Sequence, residues 1–436
     1  MDQATRRWRA ALFVFMLVAG VGMASWVART PAVRDALGVS TGGMGVVLFG
    51  LSTGAMAGVL VSGPLVRRYG GRSVMWGGAA VLTAGLAVTA GGAQWSLAGG
   101  VFAGLALFGS GLGLAEVAVN IEGAAVERRI GRPVLPVLHG CFSLGTVLGA
   151  LLGLALTAAH FPVGAHLLAV AVLTAAATVW AVRAVPAGTG REAAAEAAAG
   201  PRDRLAALRV WRDGRLVLIG MIVLVMAFTE GAANDWLPLL MVDGHGVSAT
   251  AGSLTYTAFA VAMTVGRFAG GPFLERFGRA AVVRASAAVA AVGVALVVFS
   301  PSPLVAGAAV VLWGLGASLG FPVSISAAGD DPEGAAARVS AVATAGYLAF
   351  LVGPPSLGFL ADHVGLRPTM GVVLGLLVVA ALLAPALRPR GPGWPRRPCR
   401  RGRTPRRPPR WTTARAVPET GWAARSWGDG RPIPPP

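Results

Sequence analysis

Charge and cysteine are what this sequence has least of. Charged residues make up 13% of its 436 residues, about half the fraction typical of soluble domains, and lysine does not occur. The two cysteines, Cys141 and Cys399, offer neither a disulfide framework nor metal-ligand spacing. The sequence also has no Walker phosphate loop, no Ser/His/Asp triad pattern and no His/Cys cluster. These absences argue against an ATP-driven pump, a hydrolase and a metalloprotein, so we expect no enzyme and no cofactor.

Long apolar runs and glycine are abundant instead. Hydrophobic residues make up 55% of the chain, which contains 62 glycines and has a mean hydropathy of +0.67. Roughly 20 apolar residues are needed to cross a bilayer core as a helix. These runs are apolar on all sides rather than alternating, which argues against a barrel. The predicted spans are residues 10–28, 42–66, 73–91, 96–119, 135–158, 163–182, 215–236, 250–272, 281–300, 304–328, 339–361 and 369–387. The sequence therefore predicts an all-α membrane protein with twelve transmembrane helices.

Arginine placement predicts the orientation in the membrane. If the N-terminus is cytoplasmic, the inside segments before the tail hold twenty arginines and the outside loops hold three. The three outside are Arg29, Arg34 and Arg367. Because cytoplasmic loops are enriched in basic residues, we expect a bacterial inner-membrane protein with both termini in the cytoplasm.

The net charge of +18 reflects this topology and the composition of the C-terminal tail. Thirteen arginines lie after Leu387, so the tail alone carries +11. We therefore expect no nucleic-acid partner, and the lipid bilayer is the expected surroundings. The predicted organisation is a six-helix bundle over residues 1–182, a cytoplasmic linker over 183–213, a second six-helix bundle over 214–387 and a disordered Arg/Pro-rich tail over 388–436.

The chain repeats itself at an offset of 208 residues. The segment Gly38 to Ser40 matches the segment Gly246 to Ser248, and eight identities fall within 33 positions. The identities cluster at the two ends of the second and eighth spans, where turns require them. The remaining matches pair Gly58, Gly63, Pro64, Arg68 and Gly70 with Gly266, Gly271, Pro272, Arg276 and Gly278. Two duplicated six-helix halves are typical of transporters whose site lies near the midplane between them.

The loops after spans two and eight resemble a known family motif. The segment GPLVRRYGGR at residues 63–72 and the segment GPFLERFGR at residues 271–279 are similar to the major facilitator superfamily loop G-x-L-x-D-R-x-G-R-R. Other stretches, including RTPAVRDALGVS and TEGAANDW, resemble a bacterial branch grouped with fucose permeases. The resemblance covers all twelve spans and implies two pseudo-symmetric six-helix bundles that function as a monomeric carrier.

The resemblance also implies a role for the loop residues. In the family, an acid and several arginines form a charge cluster that latches the halves in one state and releases them in another. The first copy here departs from the pattern because Arg67 replaces the acid, whereas the second copy keeps Glu275. Positive-inside anchoring with tight turns is an equally open interpretation. The candidate loop residues are Gly63, Arg67, Arg68, Gly70, Arg72, Gly271, Glu275, Arg276, Gly278 and Arg279.

Ionisable groups inside spans are costly and need a reason. Glu116 and Asn120 lie four residues apart, and Glu230 and Asn234 repeat that spacing, so each pair shares a helix face. The resemblance to fucose permeases implies proton coupling or substrate contact at Glu116. The alternative is a Glu116 side chain that reaches the cytoplasmic interface.

Other polar and aromatic residues favour structural roles. His139 is a proton-coupling candidate, although a buried, hydrogen-bonded side chain is favoured. Arg267 is expected to reach the interface or to pair with Glu275. Asp235 and Trp236 are expected to form a cap and an anchor at the outer interface. The aromatic side chains of Trp26, Trp313 and Tyr347 are expected to face lipid or pack in the core.

These observations predict a secondary transporter that imports a small polar solute, such as a sugar, with protons. Two alternatives stay open. The first is an exporter of drugs or metabolites on the same fold, although the fifth span lacks the Gly-Pro of exporting relatives. The second is a membrane sensor operated by the basic tail, which deletion of the residues after Leu387 would inactivate.

Overall fold

Long helices form almost all of the computed structural model, which describes residues 2–132, 134–191, 210–330 and 335–388. In the first half these are α1 (Gln3–Val27), α2 (Thr30–Leu37), α3 (Thr41–Tyr69), α4 (Gly71–Gln94), α5 (Ala98–Ile130), α6 (Leu135–Ala158) and α7 (Val163–Arg183). In the second half they are α8 (Gly214–His245), α9 (Ala249–Phe277), α10 (Arg279–Phe299), α11 (Pro303–Ala328), α12 (Ala335–Val364) and α13 (Leu366–Leu383).

Every predicted span corresponds to one of these helices. Within the described ranges, eleven helices are long and apolar enough to cross a membrane. The remaining long helix, α9, has 29 residues and carries Arg267 and Glu275. The short α2 is an addition that the sequence pattern did not predict. The twelve-helix prediction is confirmed. The tail that was predicted to be disordered, apart from Arg388, and most of the low-complexity linker run lie outside the described residues.

The internal repeat has the same geometry in both copies. Gly38 ends α2 and Gly246 ends α8, each in the left-handed conformation, with φ of 62° and 68°. Ser40 and Ser248 then cap α3 and α9 by accepting hydrogen bonds from backbone N–H groups. Both helices have 29 residues. Because both copies use the same turn and the same serine cap, the identities cluster at the helix ends.

Helix packing also repeats between the halves. In the first half, α1 packs on α6 and α7, while α5 packs on α3 and α4. In the second half, α8 packs on α12 and α13, and α11 packs on α9 and α10. Each contact in the first half therefore has an equivalent in the second half. The corresponding helices are α1 and α8, α3 and α9, α4 and α10, α5 and α11, α6 and α12, and α7 and α13. The halves meet where α3 packs on α12 and where α6 packs on α9.

Glycine allows the close helix contacts within each half. A Cβ atom on Gly54 in α3 would lie 2.0 Å from the Ala106 carbonyl oxygen in α5, and one on Gly109 would lie 2.1 Å from the Leu51 oxygen. No side chain fits at such distances. Small residues therefore set the α3–α5 separation, as is common for helices packed in lipid.

Candidate functional site

Because successive long helices run in opposite directions, their ends lie on two opposite sides of the molecule. The α2 side carries α2 and the α8–α9 connection, and the linker side carries the N-terminus, the α3–α4 connection and residues 184–191.

On the α2 side the two halves are held together by polar contacts. The Gly42 backbone N–H donates to Asp362 Oδ1 at 2.8 Å, and the Ser40 hydroxyl donates to Asp362 Oδ2 at 3.0 Å. Arg34 forms an ion pair with Asp243, and the Ser253 hydroxyl donates to the Ala28 carbonyl oxygen at 2.9 Å. These contacts join α2, α3 and the end of α1 to α8, α9 and α12.

Glycine brings the α2-side ends of α3 and α12 into backbone contact. A Cβ on Gly45 would lie 2.9 Å from the Pro354 carbonyl oxygen and 3.2 Å from the Gly358 Cα. A Cβ on Gly42 would collide with the Asp362 carboxylate. The hydrogen bonds made between the halves by described residues lie on this side or at mid-depth.

At mid-depth an ion pair lies where α6 crosses α9. Arg267 Nη2 in α9 donates to both carboxylate oxygens of Glu230 in α8, at 3.0 and 3.1 Å. Arg267 Nη1 donates across the half interface to the Ser143 hydroxyl in α6, at 3.0 Å. The side chains of Arg267 and Glu230 are 27% and 15% exposed. The pair is therefore neither at a helix end nor sealed within one bundle.

The predicted surroundings of Arg267 were wrong. Arg267 lies ten residues before the end of α9, roughly 15 Å along the helix, and it pairs with Glu230 rather than Glu275. Glu230 lies sixteen residues into α8, roughly 24 Å from its start. A charge at such depth needs a partner or water, and these two residues supply one for each other.

Glu116 and Asn120 lie in the middle of α5, on one face. The predicted span ended at residue 119, but α5 continues to Ile130, which places Glu116 roughly 20 Å from the linker-side end. Glu116 is partly exposed and, among the described residues, makes neither a hydrogen bond nor an ion pair. It lies within electrostatic range of Tyr347 in α12 of the other half. The Asn120 Oδ1 atom is buried without a hydrogen-bond donor in the described structure.

His139 and Asn234 lie near the ion pair. His139 was expected to be buried and hydrogen-bonded, but its side chain is exposed, makes no hydrogen bond to a described residue and is within electrostatic range of Arg267. Asn234 Oδ1 accepts a hydrogen bond from the Tyr256 hydroxyl at 3.4 Å. Tyr256 in turn lies within electrostatic range of Glu230. Two predicted candidates, His139 and Asn234, therefore lie near the ion pair that a third candidate, Glu230, forms with Arg267.

The prediction that Asp235 and Trp236 anchor an interface was wrong. Asp235 is 8% exposed and Trp236 is fully buried, with its ring against Gly358 in α12. The reason is that α8 continues to His245, so residue 236 is not at the helix end. Trp26 and Trp313 are also buried, which confirms their packing role.

The two loop motifs adopt matching conformations, with Gly70 and Gly278 both at positive φ, 84° and 75°. Arg68 stacks on Tyr69 and Arg276 stacks on Phe277, with distances of 5.2 and 5.3 Å to the ring centres. Glu275 is exposed and forms no ion pair with a described residue. The second-half charge cluster on the linker side is instead made by Asp330 with Arg279 and Arg215. The remaining predicted motif residues, Gly63, Arg67, Gly70, Arg72, Gly271 and Gly278, lie at or near the α3–α4 and α9–α10 connections.

Sequence reasoning missed Ser143 and Asp362. A serine in an apolar run carries no distinctive signal. Asp362 could have been noticed, because it is an acid at the end of the eleventh predicted span, on the side where helix α3 begins. Carboxylates stabilise helix N-termini.

Comparisons with known proteins follow this geometry. The family model of the Major Facilitator Superfamily matches residues 10–346 and 219–427. An uncharacterized MFS-type transporter of Yersinia pestis is 30% identical over 376 residues, covering 85% of this chain and 93% of its own length.

Solved structures show the same fold. A variant of the nucleoside transporter NupG matches with a TM-score of 0.71 at 13% identity, covering 88% of this chain and 100% of NupG. A variant of the E. coli fucose:proton symporter FucP matches with a TM-score of 0.62 at 16% identity, covering 88% of this chain and 98% of FucP. The twelve long helices of the described residues, arranged in two repeated halves, agree with the match to the family model and with the identity to an MFS-type transporter. This chain therefore belongs to the Major Facilitator Superfamily.

Proposed function

We propose that this protein is a secondary active transporter that imports a small polar solute, such as a sugar, together with protons, by alternating access. The observation that carries the proposal is the ion pair of Glu230 and Arg267 at mid-depth, bonded across the half interface to Ser143. In duplicated carriers the substrate site lies between the halves near the midplane. Ionisable residues at such depth are, by default, functional.

The charges favour a neutral, hydroxyl-rich solute. Arg267 and Glu230 together carry no net charge, and both are partly exposed. Hydroxyl groups of a sugar can donate to a carboxylate and accept from a guanidinium while the pair stays intact. A net anion would have to displace Glu230 from Arg267, and the carboxylate would then be left unpaired inside the membrane. The names of the fucose:proton symporter and the D-xylose-proton symporter are consistent with this solute class.

Glu116 is the proposed coupling carboxylate. It has no ion-pair partner among the described residues, so it can bind or release a proton without breaking a salt bridge. Glu230, by contrast, is neutralised by Arg267. The Asn120 Oδ1 atom, which has no donor among the described residues, lies on the same face and can accept a hydrogen bond from a protonated Glu116.

The arginine asymmetry assigns the linker side to the cytoplasm of a bacterial inner membrane. Under that assignment the halves are closed toward the outside by Asp362, Arg34 and Ser253. Such closure toward the outside is expected of the inward-facing and occluded states of an alternating-access cycle. Transport by a monomer is the simplest form consistent with a site built from both halves of one chain.

The experiment uses Glu116→Gln, which mimics the protonated carboxyl. A thermal-shift screen of sugars and nucleosides on the purified protein first selects a solute. In proteoliposomes, Glu116→Gln is expected to exchange that solute across the membrane but not to concentrate it under a pH gradient. Glu116→Asp, which keeps the charge, serves as the matched control. If Glu116→Gln concentrates the solute like the wild type, then Glu116 is not the coupling site and Glu230 takes its place as the candidate.

A further inference from the structure

Among the described residues, two hydrogen bonds of different kinds join α6 to α9 where these helices cross. The Thr264 hydroxyl donates to the Ser143 carbonyl oxygen at 3.3 Å. Arg267 Nη1 donates to the Ser143 hydroxyl at 3.0 Å. Only the second bond involves a group that is also held by another helix, because Arg267 is paired with Glu230 in α8.

The two acceptors of Arg267 are unequal in strength. Glu230 is a carboxylate and accepts through both oxygens, whereas Ser143 offers a neutral hydroxyl. The guanidinium charge assists both bonds, but only Glu230 adds an opposite charge and a second acceptor oxygen, which makes its pairing with Arg267 the stronger one. The Ser143 hydroxyl is therefore the acceptor that a competing oxygen can displace, while Glu230 keeps the guanidinium in place.

Arg267 also has spare donor capacity. A guanidinium has five N–H groups in a fixed fork, and Arg267 Nε has no acceptor among the described residues. The side chain is 27% exposed. An incoming oxygen can thus reach the same guanidinium that holds the two halves together.

Building on the carrier function proposed above, we infer that Arg267 is the positioning residue that transmits occupancy of the site to the contact between the halves. A solute oxygen replaces the Ser143 hydroxyl on Arg267 and so releases α6 from α9. Glu230 anchors the guanidinium throughout, and without that anchor the bond to Ser143 is lost as well. The energetic effects of Glu230 and Ser143 on the half interface must then be coupled, and the coupling must require Arg267.

A double-mutant cycle on conformation tests this inference without any solute. Spin labels replace Tyr69 and Phe277, exposed linker-side residues of opposite halves, in a chain whose Cys141 and Cys399 are changed to serine. The distance distribution between the two labels, measured by double electron–electron resonance, then gives the ratio of molecules that are open on the linker side to molecules that are closed there. Glu230→Gln and Ser143→Ala are each expected to change that ratio. The double variant is expected to depart from the product of the single effects by about twofold or more.

Matched variants test whether Arg267 is responsible for the coupling between Glu230 and Ser143. In an Arg267→Gln background the departure from additivity is expected to vanish. Thr264→Val removes the neighbouring bond of the same crossing and is expected to combine additively with Glu230→Gln. Arg267→Lys keeps the charge but not the fork, so it is expected to fold normally and to lose the coupling.

Two outcomes overturn the inference. One is that Glu230→Gln and Ser143→Ala combine additively in the protein that keeps Arg267. The other is that their coupling is as large in the Arg267→Gln or Arg267→Lys background as in the protein that keeps Arg267. Folding is checked by monodisperse elution, and Arg267→Lys supplies the decision if Arg267→Gln does not fold. Because the assay measures conformation rather than transport, a failure of the proposed solute or proton coupling leaves its result unchanged.

Discussion

Closure of the α2 side should depend on the absence of a side chain at Gly45. A Cβ there would lie 2.9 Å from the Pro354 carbonyl oxygen and 3.2 Å from the Gly358 Cα, both backbone atoms that cannot rotate away. In Gly45→Ala, α3 and α12 must therefore move apart on the α2 side. Overpacking of this kind costs about 1–3 kcal/mol. The gain in helix propensity from Gly to Ala, about 1 kcal/mol, applies to open and closed molecules alike and cancels in their ratio.

The expected result is a shift of the population toward molecules that are open on the α2 side. With a tenfold change for each 1.4 kcal/mol, the ratio should change about 5- to 150-fold. Spin labels at Trp95 and Leu304, exposed residues on the α2 side of opposite halves, report the change as a longer distance.

The matched control is Gly371→Ala, a second glycine inside a helix near the α2 side. A Cβ at Gly371, five residues into α13, has open space around it in the described structure, so it places no strain on the contact between α3 and α12. If Gly45→Ala gives the wild-type distance distribution, or if Gly371→Ala shifts it equally, the α3–α12 contact does not close the α2 side.

Two further predictions concern topology and the loop motif. A reporter that is active only in the cytoplasm should be active when fused after Arg68 or Arg279 and inactive after Gly38, and the reverse pattern would contradict the orientation. Glu275→Gln should slow transport sharply while the protein remains in the membrane, because it removes the acid of the second motif copy, and Arg67→Asp should be tolerated. Normal transport by Glu275→Gln would mean that the loop only anchors the protein in the membrane. That outcome would agree with the absence of an ion pair between Glu275 and any described residue.

The fold could be predicted from the sequence because bilayer thickness and turn chemistry act locally. Apolar runs of about 20 residues are dictated by the membrane core, and each run became a helix. The Gly38 and Gly246 turns could be paired by sequence because the left-handed conformation favours glycine. Such constraints do not depend on which helices meet.

The partners in the site could not be predicted, because they depend on how three helices meet. Arg267 is 37 residues from Glu230 and 124 from Ser143, and no local pattern sets which faces of α6, α8 and α9 meet. The depth of Arg267 was also misjudged, because the eighth span was predicted to end at residue 272 and the helix continues to Phe277. Helix ends beyond the apolar core are solvated and polar, so hydropathy marks them poorly. The same shortfall is why an interfacial Glu116 was open as an alternative, since the fourth span was predicted to end at residue 119 and α5 continues to Ile130.

Uptake by the reconstituted wild-type protein tests the central claim most directly. Proteoliposomes with an alkaline interior receive the solute selected by thermal shift, and its internal concentration is followed with and without a protonophore. The account predicts accumulation above the external concentration that collapses when the protonophore dissipates the pH gradient. Accumulation that survives the protonophore, or that occurs only when the gradient is reversed, would contradict proton-coupled import.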